Sequence, residues 1–131
     1  MENFFIDLRV NYKDTDRMGV VYYSNYLVWF EICRTEYFRS LGYPYVDLER
    51  KKIFLPVLES YCRYKSSLTY DDEARVYLTA VEIKGIKLTF KCEVENKRTN
   101  QIAASGYTKH VFIDQNNKPI KIPVEILKLI R

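Results

Sequence analysis

Residues 22–41, YYSNYLVWFEICRTEYFRSL, decide how the rest of the chain is read. Tyr22, Tyr26, Trp29, Phe30, Cys33, Tyr37 and Leu41 recur with a 3.6-residue period, and Ser24, Glu31, Thr35 and Arg39 fill the opposite face. Such a stripe is the mark of an amphipathic helix that covers a core. Ser24 or Asn25 is placed to cap its start, Gly42 to end it, and Pro44 follows. A short second helix is predicted over Val46–Lys52.

Upstream, residues 4–13 alternate. Phe4, Ile6, Leu8, Val10 and Tyr12 share one face, while Phe5, Asp7, Arg9, Asn11 and Lys13 share the other. That is a half-buried strand. It runs into the polar loop Asp14-Thr15-Asp16-Arg17-Met18-Gly19. Downstream, strands are expected over Phe54–Lys65, Ala74–Ile83, Ile86–Glu95 and Ile102–Ile113, with turns at Asp71-Asp72, Gly85 and Asn96–Gln101. Val124–Ile130 can form a terminal helix. The order is strand, long helix, four strands, so the class is α+β, with strands two to five expected as an antiparallel meander. One helix covers one face of such a sheet. The other face, with Tyr61, Tyr77 and Tyr107, needs a partner, which points to an oligomer.

The whole chain, 131 residues, matches one domain spanning 1–131. Its hydrophobic (47%) and charged (29%) fractions exclude a disordered or collagen-like chain. No apolar run reaches the ~18 residues of a membrane span. The net charge of +4 is too weak to argue for nucleic acid, but it suits a small polyanionic ligand. A basic, tyrosine-rich nucleic-acid module is disfavoured further because most aromatics follow buried helical or strand periods. Cys33, Cys62 and Cys92 are odd in number and match no zinc or redox spacing, so they are expected as buried, reduced thiols of a cytoplasmic protein. Met1-Glu2-Asn3-Phe4-Phe5 lacks the pattern of a signal peptide.

His110 is the only histidine, so no multi-histidine zinc site is possible, and its place in a strand argues for a structural or surface role. No Gly-x-Ser-x-Gly elbow and no glycine-rich phosphate loop occurs. No metal or cofactor is implied. What remains is a carboxylate. Asp14 and Asp16 lie between the first strand and the long helix, whose first N–H groups are unpaired and positive. Such a terminus can hold a developing oxyanion while a nearby carboxylate attacks or activates water. The plainer alternative is that both aspartates shape a turn or cap the helix. Glu59 is a weaker candidate on the second strand. Arg63 and Lys65, spaced by two, and Lys84 and Lys87, flanking a hairpin, could meet phosphates or form a solvated rim.

The run Tyr12-Lys13-Asp14-Thr15-Asp16-Arg17-Met18-Gly19-Val20-Val21-Tyr22-Tyr23-Ser24-Asn25-Tyr26 resembles the signature of the 4-hydroxybenzoyl-CoA thioesterase family. These are hotdog-fold acyl-CoA thioesterases, a group that includes the Tol–Pal-associated acyl-CoA thioesterase. Glu31-x-x-Arg34-Thr35-Glu36, Arg63-Tyr64, Tyr70-Asp71-Asp72 and Thr108–Asp114 also look like this family, in the same order along nearly the whole chain.

The resemblance implies a five-stranded antiparallel sheet wrapped around the long helix, and an active site between the subunits of a homodimer or homotetramer. It implies that Asp16 is the catalytic carboxylate, as nucleophile or general base. It also implies that the backbone N–H of Tyr23 polarises the thioester carbonyl, with Asp14 shaping the loop. At the Tyr23 position the Tol–Pal-associated branch usually has histidine and the 4-hydroxybenzoyl branch tyrosine. Arg63, Lys65, Lys84 and Lys87 are then candidates for the phosphates of coenzyme A. The expected activity is hydrolysis of an acyl-CoA to free acid and coenzyme A. A non-catalytic hotdog protein that binds acyl thioesters or a protein partner is the alternative.

Overall fold

The long helix, α1, spans Ser24–Ser40 in the computed structural model, which describes residues 4–130. Residues 1–3, part of the segment read above as lacking a signal peptide, and residue 131 lie outside the described residues. The buried face of α1 carries Tyr26, Trp29, Phe30, Cys33, Arg34 and Phe38. This departs from the expected stripe at three places. Tyr22 precedes the helix and is exposed, and Phe38 rather than Tyr37 is fully buried. Arg34 takes a core position between Phe30 and Phe38, four residues from each. Burying Phe30 and Phe38 contributes on the order of 2–3 kcal/mol apiece.

Neither Ser24 nor Asn25 caps α1. Tyr23 is the cap residue, with helical dihedrals and no side-chain cap bond, and Asn25 Nδ2 instead donates to the Asp14 carbonyl at 2.8 Å. The other end is as expected. Gly42 has φ +82, donates to the Arg39 carbonyl, and Tyr43 N–H donates to the Phe38 carbonyl. This closure needs a left-handed residue, which glycine supplies without strain. A second helix, α2, spans Tyr45–Arg50.

The strands are β1 (Phe4–Arg9), β2 (Val57–Tyr64), β3 (Glu73–Lys84), β4 (Lys87–Asn96), β5 (Gln101–Ile113) and a two-residue β6 (Pro119–Ile120). The antiparallel order is β1-β3-β4-β5-β2, with β6 on the end of β5. The expected meander therefore holds only for β3, β4 and β5. Tight turns lock these three together, which leaves one free edge on β3 and one on β5. The first strand takes the edge of β3, with Arg75 donating two bonds to Asp7 at 2.8 and 3.0 Å. The chain between β2 and β3 crosses the end of the sheet, so β2 pairs with β5 instead. There Gly106 faces Cys62, and a Cβ on it would overlap the Tyr61 carbonyl oxygen.

The first strand is also shorter than the alternation predicts. It ends at Arg9, and Tyr12–Asp14 form a 3-10 turn. Tyr12 is consequently exposed, stacked on Tyr70 with ring centroids 3.7 Å apart. Along β3 and β4, Ala74, Val76, Leu78, Leu88, Phe90, Cys92 and Val94 point to α1 and form one cluster with it. The helix α3 (Val124–Leu129) adds Ile126 to that cluster. On the opposite face Tyr61 stacks on Tyr107 at 5.4 Å, and Tyr77 donates to Glu95 at 3.0 Å. A five-stranded antiparallel sheet laid around one long helix is the hotdog fold, of class α+β.

Candidate active site

The loop between β1 and α1 is held by its own backbone. Thr15 and Val21 form an antiparallel bridge, and Asp16 N–H donates to the Val20 carbonyl at 3.0 Å. Gly19, with φ +80, lets its N–H return to the Asp16 carbonyl at 2.9 Å. A second bridge, Val20 with Thr69, ties the loop to the segment before β3.

The two aspartates do different things. Asp14 faces inward to its own turn. Its Oδ2 accepts the Asn11 N–H at 2.8 Å, and its carbonyl accepts both Tyr22 N–H and Asn25 Nδ2 at 2.8 Å. It is the joint that sets the entry angle of α1. Asp16 has one oxygen anchored, Oδ1, by the Met18 N–H at 2.8 Å. No donor reaches Oδ2 among the described residues. A carboxylate held by one oxygen and open at the other is oriented yet still available for attack or proton transfer.

Tyr23 is the cap residue just before α1, and its backbone N–H has no protein acceptor among the described residues. The unpaired N–H and the positive end of a 17-residue helix coincide there. Asp16 and Tyr23 line one cavity of about 340 Å³, together with Tyr26, Tyr64, Lys65 and Ser66 among others. Tyr64 donates its hydroxyl to the Tyr23 carbonyl at 3.2 Å, and its ring meets Tyr26 edge-on at 5.4 Å. Burial pushes the Tyr26 phenol up to about 12, so it stays neutral.

The other sequence candidates separate. Lys65 lines this cavity; Arg63 does not. The spacing of two does not carry both to one place, because β2 ends at Tyr64 and Lys65 turns to donate its N–H to the Ala103 carbonyl. Arg63 sits on the strand face opposite Cys62 and Tyr64. Glu59 accepts from the Tyr107 hydroxyl and pairs with Lys109 at 3.8 Å, on the outer face of the sheet. Lys84 and Lys87 face each other across the β3–β4 hairpin. The Asp16 loop lies beside the start of β3, and this 12-residue strand is roughly 35 Å long at ~3.3 Å per residue. Within one protomer the hairpin lysines are thus at the far end of the sheet.

His110 is buried and structural. Its Nδ1 lies 3.1 Å from the Pro56 carbonyl, which can only accept, so Nδ1 carries the proton. Nε2 then accepts from the Thr108 hydroxyl at 2.8 Å, and Thr108 Oγ1 accepts from Arg34 Nη1 at 3.2 Å. Burial, and next the Arg34 charge, push the imidazole down to about 4. Sequence reasoning missed Tyr64 and Arg34 as individual residues. For Arg34 a signal existed: Tyr26, Phe30, Arg34 and Phe38 form one run of i, i+4 steps.

The profile of the thioesterase-like superfamily matches residues 10–130. The chain belongs to that superfamily. It is 32% identical over 125 residues to the acyl-CoA thioesterase YbgC of Haemophilus influenzae, covering 94% of this chain and 90% of that protein. The crystal structure of a hypothetical protein from Aquifex aeolicus is similar with a TM-score of 0.92 at 34% identity, covering 98% of this chain and 99% of that one. The DHNA-CoA thioesterase of Staphylococcus aureus is similar with a TM-score of 0.91 at 28% identity, covering 98% and 89%. No helix among the described residues is long and apolar enough to cross a membrane. No cluster of three or more His, Cys, Asp or Glu side chains there could hold a metal ion.

Proposed function

We propose that this thioesterase-like protein hydrolyses an acyl-CoA to the free acid and coenzyme A, with Asp16 as the reacting carboxylate. The observation that carries this reading is that Asp16 lines the same cavity as Tyr23, whose N–H has no acceptor among the described residues. The thioester carbonyl sits on the Tyr23 N–H, at the positive end of α1. Asp16 then either attacks the carbonyl carbon, giving an anhydride that water opens, or removes a proton from an attacking water. In both routes negative charge grows on the carbonyl oxygen, and a fixed N–H donor stabilises it. Coenzyme A leaves as the thiolate, and its phosphates fall to Lys65 at the rim. Similarity to proteins named as acyl-CoA and DHNA-CoA thioesterases supports the reading.

The assembly we propose is a homodimer, or a homotetramer built from it, joined along β2. That strand is an open sheet edge, with Val57, Leu58, Tyr61 and Tyr64 each about half exposed. An exposed apolar edge is a pairing template, and a second copy of the same strand satisfies its free N–H and C=O groups. The three free cysteines suit a reducing compartment, and we place the protein in the cytoplasm.

Purified protein should release free thiol from a panel of aliphatic and aromatic acyl-CoA substrates, read with a thiol reagent. Binding of these substrates without release of coenzyme A from any of them would transfer the protein to the non-catalytic, acyl-thioester-binding reading.

A further inference from the structure

Arg34 is buried, 6% exposed, in the middle of α1, and it forms no ion pair among the described residues. Its Nε donates to the Tyr45 hydroxyl at 2.9 Å and its Nη1 to Thr108. No acceptor reaches Nη2 among the described residues. The Tyr45 oxygen accepts from Arg34, and among the described residues its own proton has no acceptor. A guanidinium taken out of water without an anion is costly by several kcal/mol. Arg34 Nη2 is not sealed inside packed protein, since among the described residues no fully buried side-chain nitrogen or oxygen is without a partner. Arg34 and Tyr45 both line a cavity of about 190 Å³ between α1, α2 and the segment before β2.

The lining is mixed. Arg34 and Tyr45 carry donors, and Leu48, Ile53, Phe54 and Leu55 are apolar. Glu31 and Glu49, both exposed, stand at its rim, so it opens to solvent. By size it compares with an apolar cavity of ~150 Å³ that holds benzene. Donors without acceptors, a positive charge and an apolar pocket of this volume define the complementary ligand: an anionic acceptor pair on a small hydrophobic body.

We propose that this cavity binds a small organic carboxylate, its oxygens on Arg34 Nη2 and the Tyr45 hydroxyl and its apolar body on Leu48, Ile53 and Leu55. The cavity shares no lining residue with the one that holds Asp16. Free carboxylic acids are the product class of thioester hydrolysis, so the site would sense product; only that functional meaning, not the binding, rests on the proposed activity. The carboxylates of Glu31 and Glu49 repel an anion at the rim and set an upper limit on affinity.

Benzoate is the probe, with benzyl alcohol as a neutral control of like shape. The readouts are calorimetry on the whole 131-residue chain and the imidazole resonances of His110, its only histidine, which is joined to Arg34 through Thr108. Benzoate should bind saturably, one per protomer, and shift the His110 resonances, while benzyl alcohol does neither. Tyr45→Phe should weaken benzoate about tenfold by removing one bond to a charged group. Glu31→Gln should tighten it, and Asp16→Asn should leave it unchanged while stopping turnover. Arg34→Gln should abolish binding; if that variant does not fold, Tyr45→Phe and Glu31→Gln still decide. Equal binding of benzoate and benzyl alcohol, no shift of His110, or loss of binding in Asp16→Asn but not in Tyr45→Phe would each overturn the proposal. The first two mean that the protein itself meets the Arg34 charge, and the third that benzoate occupies the Asp16 cavity.

Discussion

Acidification from pH 7 to pH 5 should cost this protein about 2 kcal/mol of folding stability through His110 alone. The folded imidazole titrates near 4, against a value of ~6.5 for an unfolded chain. Its folded pKa is depressed, so the stability it contributes is fully present above pH 6.5 and is lost as the pH falls toward 4. Between those values the unfolded chain binds a proton that the folded protein refuses. At pH 7 roughly a quarter of unfolded chains carry that proton, and at pH 5 nearly all do, while folded His110 stays mostly neutral. Integrating the difference in bound protons over these two units gives about 2 kcal/mol, a large share of the ~5–15 kcal/mol typical of a domain.

The structural cause is local. A second ring proton would point at Thr108, whose oxygen already accepts from Arg34, and would set two cations on either side of one hydroxyl. His110 is the chain's single histidine, so His110→Gln isolates its share of the pH dependence. Urea denaturation at pH 7 and pH 5, at one protein concentration, measures the difference. His110→Gln lowers stability at both pH values but should make them nearly equal. Equal stability of the wild-type protein at the two pH values, or an undiminished pH dependence in His110→Gln, refutes the assignment of a buried neutral imidazole.

Asp16→Asn should lower kcat by at least ~10²–10⁴-fold with an unchanged melting curve, whereas Asp14→Asn should cost far less in kcat and show partly as a lower Tm; near wild-type turnover by a folded Asp16→Asn would remove the proposed chemistry. Lys65→Met should raise KM for acyl-CoA several-fold and leave kcat nearly constant, and added salt should do the same to the wild type because exposed charges are screened over ~8 Å. A fall in kcat alone would assign Lys65 a part in the chemistry. Gly106→Ala should destabilise by about 1–3 kcal/mol or more in chemical denaturation, since its Cβ meets the Tyr61 carbonyl and must push β2 off β5; an unaffected midpoint means that this strand pair gives freely. Light scattering should find at least two copies per particle at micromolar concentration, and a stable monomer would contradict pairing through β2.

The local periods settled what each segment becomes. The 3.6-residue stripe of Tyr26, Trp29, Phe30 and Cys33 was enough for α1, alternation from Leu88 to Val94 was enough for β4, and Gly42 marked the helix end. These readings work because burying one face of an element leaves a periodic trace in the sequence. The same locality made the loop from Asp14 to Gly19 legible as a strand-to-helix junction with two carboxylates. Only the tertiary structure decided which strands become neighbours. The placement of β2 on β5 follows from free edges left by two distant hairpins, and no residue of β2 records it. Only the tertiary structure divided Asp14 from Asp16, through which donors reach each carboxylate. It also brought Lys65 to the Asp16 cavity and left Lys84 and Lys87 at the other end of the sheet. Arg34 lies four residues from both Phe30 and Phe38, but a guanidinium there reads as a misfit until Thr108, His110 and Tyr45 arrive from elsewhere in the chain. A side chain's partners across a sheet are set by how whole elements pack, a quantity that sums over the entire core and leaves no local period to read.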